Sequence, residues 1–224
     1  MTTVMTATPE TLGLLMLAGD PHAKRMAPAE QRAAVGAALA EGADLAGNLR
    51  SRFGNLAPAK IASRLGVPIT VSDEDPIVGP LWRFADYRER PARIVLYSRG
   101  LAIREAATAD PAVTRLFGQT DVSGVFIAHE LYHHAEAASG AVPVARRHPV
   151  TLLRIGAWRW QTGIAALTEI AAGAFAQALA GLPCHPKVLD LLALDALVPG
   201  PATAGVAARI AAFGQHDLPV GGQL

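Results

Sequence analysis

The 224-residue chain has few cysteines, few charged residues and few aromatic residues. Its one cysteine, Cys184, excludes an intrachain disulfide and favours a reducing compartment, so a cytoplasmic protein is expected. Charged residues make up only 17%, and 20 Lys and Arg against 19 Asp and Glu give a formal net charge of +1. Because binding to a nucleic-acid backbone requires a basic surface, we expect no direct nucleic-acid partner.

The chain also lacks a hydrophobic run that could cross a membrane. Residues 12–18 are apolar, but this stretch is too short for a spanning helix, and it lacks the preceding basic residues of a signal peptide. We expect it to form a buried turn of helix and predict no membrane association. The chain does contain 51% hydrophobic residues, which excludes disorder as its dominant state and supports a buried core.

The order of local patterns predicts a single, mostly helical domain over residues 1–224. Residues 1–66 form a helical N-terminal part, residues 67–185 form a core of strands and helices, and residues 186–224 add C-terminal helices. The predicted helices cover 30–52, 59–65, 101–108, 121–138, a span that begins at 151 or at 162 and ends at 180, 186–197 and 202–213.

The clearest strand signals lie between residues 67 and 98. Near-alternation of apolar and polar residues over 81–87, a turn that ends at Pro91 and the run Arg93–Tyr97 predict a hairpin over 81–98. The run 67–71 is expected to extend this hairpin into a small sheet. The predicted fold class is therefore α+β.

Residues 129–133 are His-Glu-Leu-Tyr-His, which matches the H-E-x-x-H zinc pattern. On a helix, residues four apart lie one turn apart on the same face, so His129 and His133 can direct imidazole nitrogens at one ion. Glu130 lies beside the first ligand, where it can take a proton from water without binding the metal. The alternative is a chance match on a partly exposed helix whose histidines face water.

A zinc site of this type needs a third protein ligand. Ser139 stands six residues after His133, where a third histidine would be needed, and this excludes the H-E-x-x-H-x-x-G-x-x-H form. The downstream candidates are His134, Glu136, His148, Glu169 and His185.

Glu169 is the favoured third ligand because it is the only acidic residue between Glu136 and Asp190 and lies in an uncharged helical run. Small residues share its helix face, which allows a second helix that carries ligands to approach closely. The same face also suits a structural helix pair with Glu169 at its edge. The small residues are Ala165, Ala172, Gly173 and Ala176.

These motifs together resemble those of the ImmA/IrrE group of zinc metallopeptidases, within the gluzincin class. The sequence Ala-His-Glu-Leu-Tyr-His-His at 128–134 is followed by Glu-x-x-Ala-x-x-Phe-Ala at 169–176. A helix that ends in Leu-Gly-Val at 65–67 and the strand at 94–96 are also similar to the family pattern. The resemblance covers about residues 58–185.

The resemblance implies an α+β, zincin-like fold in which a small sheet packs on the H-E-x-x-H helix and on a helix that bears a glutamate. It implies that His129, His133 and Glu169 bind Zn²⁺ and that Glu130 is the general base. The implied activity is hydrolysis of a peptide bond by metal-activated water. The implied substrate is one specific regulatory protein in a bacterial or mobile-element host.

Three residues depart from the family pattern. Tyr132 replaces a glycine, Ala171 replaces a second glutamate, and Gly173 replaces the polar residue that would orient a ligand histidine. Loss of such a partner commonly costs about 10- to 100-fold in metal affinity or activity. Either another group substitutes, or the chain is a metal-binding pseudo-peptidase that acts as a sensor or protein-interaction module.

A peptidase also needs a hydrogen-bond donor for the oxyanion that develops on the scissile carbonyl. We expect the substrate backbone to pair with an edge strand near Arg93–Tyr97, and Cys184 to be a buried thiol rather than a metal ligand. The candidate oxyanion donors, among which the sequence does not decide, are Tyr97, Arg146, Arg147, His148 and His185.

Overall fold

A computed structural model describes residues 7–75, 77–78, 81–102 and 121–191, together with 205, 207–208 and 210–212. These residues form an α+β fold of helices and small sheets, as the sequence predicts. Within them, no helix has both the length and the hydrophobicity that crossing a bilayer requires.

The helices begin and end at residues that favour those positions. Proline occupies the first helical position of α1, α2 and α3, where its missing N–H leaves no hydrogen bond unmade. Gly140 and Gly181 adopt a positive φ directly after α4 and α6, a conformation that glycine takes without strain. The helices are α1 (Pro9–Leu17), α2 (Pro28–Phe53), α3 (Pro58–Arg64), α4 (Val122–Ser139), α5 (Val144–Arg147) and α6 (Ala165–Ala180), with a 3₁₀ turn at Ala23–Arg25.

The strands form one three-stranded sheet and two hairpin-like pairs among the described residues. In the larger sheet the order is β1-β5-β4, with β1 parallel and β4 antiparallel to the central β5. The strands are β1 (Ile69–Ser72), β2 (Ile77–Val78), β3 (Leu81–Trp82), β4 (Ala85–Glu89), β5 (Ala92–Tyr97), β6 (Val150–Ile155) and β7 (Trp158–Thr162).

The core is centred on the contact between α2 and α6, which approach closely at a glycine. A Cβ atom added to Gly42 on α2 would lie 2.8 Å from the backbone nitrogen of Phe175, and closer still to the carbonyl oxygen of Ala171, both on α6. Helix α4 packs against both α6 and β4. The sheet and α6 therefore meet at the helix that carries residues 129–133.

Several predicted helices are confirmed. Predicted 30–52, 59–65 and 121–138 correspond to α2, α3 and α4. Residues 12–17 of the apolar stretch lie in α1 with their leucines buried. Residues 98–102 and 187–191 are helical, as are the described residues between 205 and 212. The rest of the predicted helices at 101–108, 186–197 and 202–213 lies outside the described residues.

The predicted helix start at 151 is wrong, because residues 150–162 form the hairpin β6–β7 and α6 begins at Ala165, close to the alternative start at 162. Apolar and polar side chains alternate before and after the two-residue loop Gly156–Ala157, and this pattern favours strands. The loop residue Gly156 has a φ of 59°, which a tight hairpin turn demands. The sequence carries this signal, and our prediction missed it.

The predicted hairpin over 81–98 needs a smaller correction. Leu81–Trp82 pairs with Ile77–Val78, so the hairpin itself is β4–β5, over 85–97. The predicted edge strand at Arg93–Tyr97 is wrong, because this strand is the middle one: the run near 67–71 forms β1 and pairs with its other side. Of the three strands, β4 is the edge that faces α4.

Candidate metal centre

Helix α4 places His129, Glu130 and His133 together near its middle. Asp121 caps the start of α4 by accepting a hydrogen bond from the Ser123 N–H, and the helix continues without a break to Ser139. One ligand atom from each of the three side chains lies within 4.8 Å of the other two. The two histidines thus share a helix face, as their spacing predicts.

Helix α6 brings Glu169 to the same place. Its Oε2 lies 3.1 Å from Nε2 of His129, and its Oε1 lies 3.9 Å from Nε2 of His133. Donor atoms bound to one tetrahedral zinc ion at ordinary bond lengths are about 3.3 Å apart. Two imidazole nitrogens and one carboxylate are a donor set that can hold a divalent metal ion, Zn²⁺ among others.

The charges of these three side chains depend on one another. Burial lowers the pKa of His129, but the hydrogen bond with Glu169 and the charges of Glu130 and Glu169 outweigh it and raise this pKa to about 9. Burial raises the pKa of Glu169, but His129, His133 and Lys187 outweigh it and lower this pKa to about 2. Without metal, a protonated His129 therefore faces an ionised Glu169.

His133 and Glu130 are shifted mainly by burial. Burial, followed by the positive charge of His129, lowers the pKa of His133 to about 4, so its imidazole is neutral at neutral pH. Burial raises the pKa of Glu130 to about 7. Oε2 of Glu130 accepts a hydrogen bond of 2.6 Å from the backbone N–H of Tyr87 on β4. The sheet thus holds the carboxylate that the sequence assigns as the base.

A pocket of about 520 Å³ opens over the site and is lined by His129, Glu130 and Glu169. Arg83 and Lys187 contribute cations to its wall. Each cation has an acidic partner: Arg83 lies 3.0 Å from Asp86, and Lys187 lies 3.0 Å from Asp190. The larger apolar side chains of the lining are Met16, Phe84, Val125, Phe126 and Leu189.

Of the other candidate third ligands, His185 lines this pocket as well, whereas His134 and Glu136 are engaged elsewhere and His148 lies in another pocket. Nδ1 of His134 lies 3.0 Å from the hydroxyl of Tyr87. Glu136 accepts hydrogen bonds from the Tyr132 hydroxyl and the Val144 N–H. His148 lines a separate pocket at the base of β6. Of the carboxylates proposed from the sequence as third ligands, Glu169 lies between the two histidines.

The candidate oxyanion donors divide in the same way. The hydroxyl of Tyr97 donates a hydrogen bond to Asp86, and Arg147 forms an ion pair with Glu41. Tyr97, Arg147 and Arg146 do not line the metal-site pocket, and His148 lines the separate pocket at the base of β6. Of the five candidates, His185 lines the metal-site pocket. Burial raises the pKa of Cys184 to about 11, so its thiol stays protonated and is a poor metal ligand.

His185 occupies the space that Gly173 leaves on α6. A Cβ at position 173 would overlap Cε1 and Nε2 of His185, and the histidine is 1% exposed. Nδ1 accepts a hydrogen bond from the Lys187 N–H, and burial lowers the pKa to about 4, so the neutral ring carries its proton on Nε2. This Nε2 has no hydrogen-bond partner among the described residues. The ring thus stands where the resemblance expects a polar side chain from position 173.

The other two departures from the family pattern, Tyr132 and Ala171, belong to the core. The ring of Tyr132 is fully buried and meets Phe175 edge to face at 5.8 Å, and its hydroxyl donates to Glu136. It does not line the pocket. The ring therefore packs between α4 and α6, and it also meets the ring of His133 edge to face at 5.7 Å.

Sequence reasoning missed three contributors to the site: the Tyr87 N–H and the side chains of Arg83 and Lys187. A backbone N–H carries no sequence signal, because its direction depends on strand register. The two cations are ordinary charged residues whose position beside the site follows from packing.

Comparison of the chain with protein-family models, with curated proteins and with solved structures finds no match.

Proposed function

We propose that the protein is a zinc-dependent metallopeptidase with a zincin-like fold. The observation that carries the proposal is the position of the Glu169 carboxylate, whose two oxygens lie 3.1 and 3.9 Å from Nε2 of His129 and of His133. A glutamate placed 40 residues away meets both histidines of the motif. His129, His133 and Glu169 would hold the ion, which supplies a Lewis acid that lowers the pKa of water.

Glu130 is the proposed proton acceptor. It lines the pocket beside the proposed ligands, and its pKa of about 7 lies near neutral pH, where a general base is most effective. The N–H of Tyr87 holds one of its oxygens at 2.6 Å and so fixes the direction of the carboxylate. Glu130 is therefore placed to take a proton from water at this site.

The proposed substrate is an extended segment of a protein, in line with the single regulatory protein that the family resemblance implies. In the part of the chain that the structure describes, no strand pairs with the outer edge of β4, and on that edge the N–H of Tyr87 points at Glu130 rather than at β5. Ala85 and Glu89 present their backbone N–H and C=O groups to the same edge as Tyr87, because these groups point to opposite sides of a strand in successive residues. An extended peptide can pair with such an edge.

A second function is favoured by a specific observation. Gly173 provides no side chain to orient a ligand histidine. His185 fills the place of that side chain, and its Nε2 is buried. A protein with this arrangement that holds zinc without cleaving peptides would act as a metal-dependent sensor or interaction module.

Metal content tests the proposed site. We expect about one zinc per chain by elemental analysis of protein purified without a polyhistidine tag, and strongly reduced zinc in Glu169→Ala. Glu136→Ala is the matched control: it removes a carboxylate close to the motif in sequence and should leave the zinc in place. Absence of metal after zinc is supplied and the excess removed would overturn both functions.

Glu130→Gln separates the two functions. The amide keeps the shape of the carboxylate but cannot accept the proton. We expect the variant to keep its zinc and to lose cleavage of a peptide library by at least about 100-fold. Cleavage that is equal in wild type and variant would exclude Glu130 as the base, and absence of cleavage in a zinc-loaded wild type would favour the sensor.

A further inference from the structure

The outer half of the β6–β7 hairpin is exposed to solvent on both of its faces. Residues 153–161 are all exposed, and the two strands are joined by the loop Gly156–Ala157. An isolated two-stranded hairpin is only marginally stable in water. Contact with a binding partner would therefore stabilise the outer half of this hairpin.

One face of the projecting half is apolar. Ile155 lies opposite Trp158 at the end of the ladder, and Leu153 lies opposite Trp160 two positions back, so all four side chains share one face. Their exposed fractions run from 46% for Leu153 to 64% for Ile155. Contiguous exposed patches of large apolar side chains mark interaction sites, and here two of the chain's three tryptophans take part.

The other face carries two arginines that oppose each other directly. Arg154 pairs with Arg159 in the ladder, and like charges in this position destabilise a hairpin. In the part of the chain that the structure describes, neither arginine has a carboxylate within 4.0 Å. An anionic surface would relieve this repulsion, so charge complementarity selects an acidic partner.

We propose that the β6–β7 hairpin docks the protein onto an anionic lipid surface. The loop Gly156–Ala157 would enter the interface first, followed by Ile155 and Trp158. The two arginines, about 3.4 Å further back along the strands, would meet lipid phosphates at equal depth. Tryptophan and arginine both suit this zone: the ring of the first is amphipathic, and the stem of the second is apolar below a charged head.

The geometry favours lipid over a protein groove. The tip is exposed on both faces, and lipid can surround both faces at once without a preformed cavity. The aliphatic residues at the tip also disfavour single-stranded nucleic acid, which uses stacking on flat rings. The expectation of no membrane association came from the absence of a spanning segment and did not consider a surface hairpin.

Co-sedimentation with vesicles tests the proposal without reference to metal or cleavage. We expect the full chain to bind vesicles of phosphatidylcholine mixed with phosphatidylglycerol and to bind pure phosphatidylcholine much more weakly. Trp158→Ala with Trp160→Ala should abolish binding. Arg154→Glu with Arg159→Glu should reduce it by more than about tenfold, because each basic residue near such a surface contributes about 1 kcal/mol.

Two control variants match these changes elsewhere on the surface. Lys60→Glu with Arg64→Glu makes the same change in net charge on exposed positions of α3, and Val71→Ala removes an exposed apolar side chain from β1. Both should bind like wild type. If the controls lose binding as much as the hairpin variants do, or if no vesicle binds the wild-type chain, the proposal is overturned.

Tryptophan fluorescence gives an independent measurement. Lipids brominated on their acyl chains should quench the emission of the wild type, whereas Trp158→Phe with Trp160→Phe leaves only Trp82 and should show little quenching. Equal quenching in both proteins would overturn insertion of the hairpin. A hairpin variant that instead changes the sedimentation coefficient without vesicles would assign this face to a second copy of the chain and would also overturn the proposal.

Discussion

At the scale of single residues, the protonation states of the side chains affect metal binding at the candidate site as much as their geometry does. His129 and Glu169 hold each other in opposite charge states when no metal is present, with pKa values of about 9 and about 2. A zinc ion needs the neutral imidazole of His129 and the ionised carboxylate of Glu169. The carboxylate of Glu169 is already ionised at neutral pH, whereas the imidazole of His129 must first lose a proton.

Zinc affinity should therefore rise with pH. Below about pH 9 the proton on His129 competes with zinc, so we expect affinity to increase by up to about tenfold for each pH unit between pH 6 and 8. Calorimetry in buffers of different ionisation enthalpy should also detect release of a proton on binding. An affinity that is independent of pH over this range would show that His129 is already neutral in the metal-free protein.

The contact between Gly173 and His185 gives a prediction about stability. Gly→Ala within a helix ordinarily stabilises by up to about 1 kcal/mol. Here the new methyl group would overlap the buried His185 ring, so Gly173→Ala should lower the free energy of unfolding by about 1–3 kcal/mol in urea titrations.

The matched background for this variant is His185→Ala, which removes the ring and leaves room for the methyl group. Gly173→Ala should cost much less there, and the double-mutant cycle should show the coupling. If Gly173→Ala lowers the free energy of unfolding equally in both backgrounds, the His185 ring does not lie against position 173 as the structure has it.

At the scale of elements, the site depends on how closely the helices approach. Glu169 reaches the histidines because α6 packs on α4, and α6 is in turn held by its long contact with α2. The backbones of α2 and α6 meet at Gly42, where no side chain fits. A shift of α6 at this point would carry Glu169 with it.

Gly42→Ala should therefore destabilise the fold by about 1–3 kcal/mol or more and weaken zinc binding, although position 42 is not a ligand. The controls are Gly36→Ala and Gly47→Ala on the same helix, where a Cβ meets no atom within 4 Å. Both should stabilise by about 0.5–1 kcal/mol in the same denaturation experiment. Equal behaviour of all three variants would contradict the close approach of α2 and α6.

At the scale of the whole molecule, a bound ion would join two helices that come from distant parts of the chain. His129 and His133 lie on α4 and Glu169 lies on α6, so binding links both to the folded state. A ligand that binds only the folded state stabilises it in proportion to the logarithm of its concentration.

Zinc at about 100 times its dissociation constant should add about 2.7 kcal/mol and raise the Tm by about 5–10 °C for a chain of this size. A chelator should reverse the increase, and Glu169→Ala should show little of it. A chelator-insensitive Tm would indicate a helical protein in which residues 129–133 carry no metal, and an undiminished increase in Glu169→Ala would place the ion elsewhere.

The amino-acid sequence by itself determined the α+β class, the helix over residues 122–139 and the common face of His129 and His133. These are local properties: a residue spacing of four, a capping aspartate and a terminal glycine act within one helix. The hairpin at 150–162 was also encoded locally, in its alternation and in Gly156, although the prediction missed it.

Only the tertiary structure decided which side chains meet. The local pattern favoured Glu169 and left His134, Glu136, His148 and His185 as alternatives, and packing brings the Glu169 carboxylate to 3.1 and 3.9 Å from the two histidines. Packing also made β5 the middle strand, turned the Tyr87 N–H toward Glu130 and set His185 against Gly173. Periodicity defines the face of a helix, whereas distances between residues 40 positions apart depend on how closely whole elements approach.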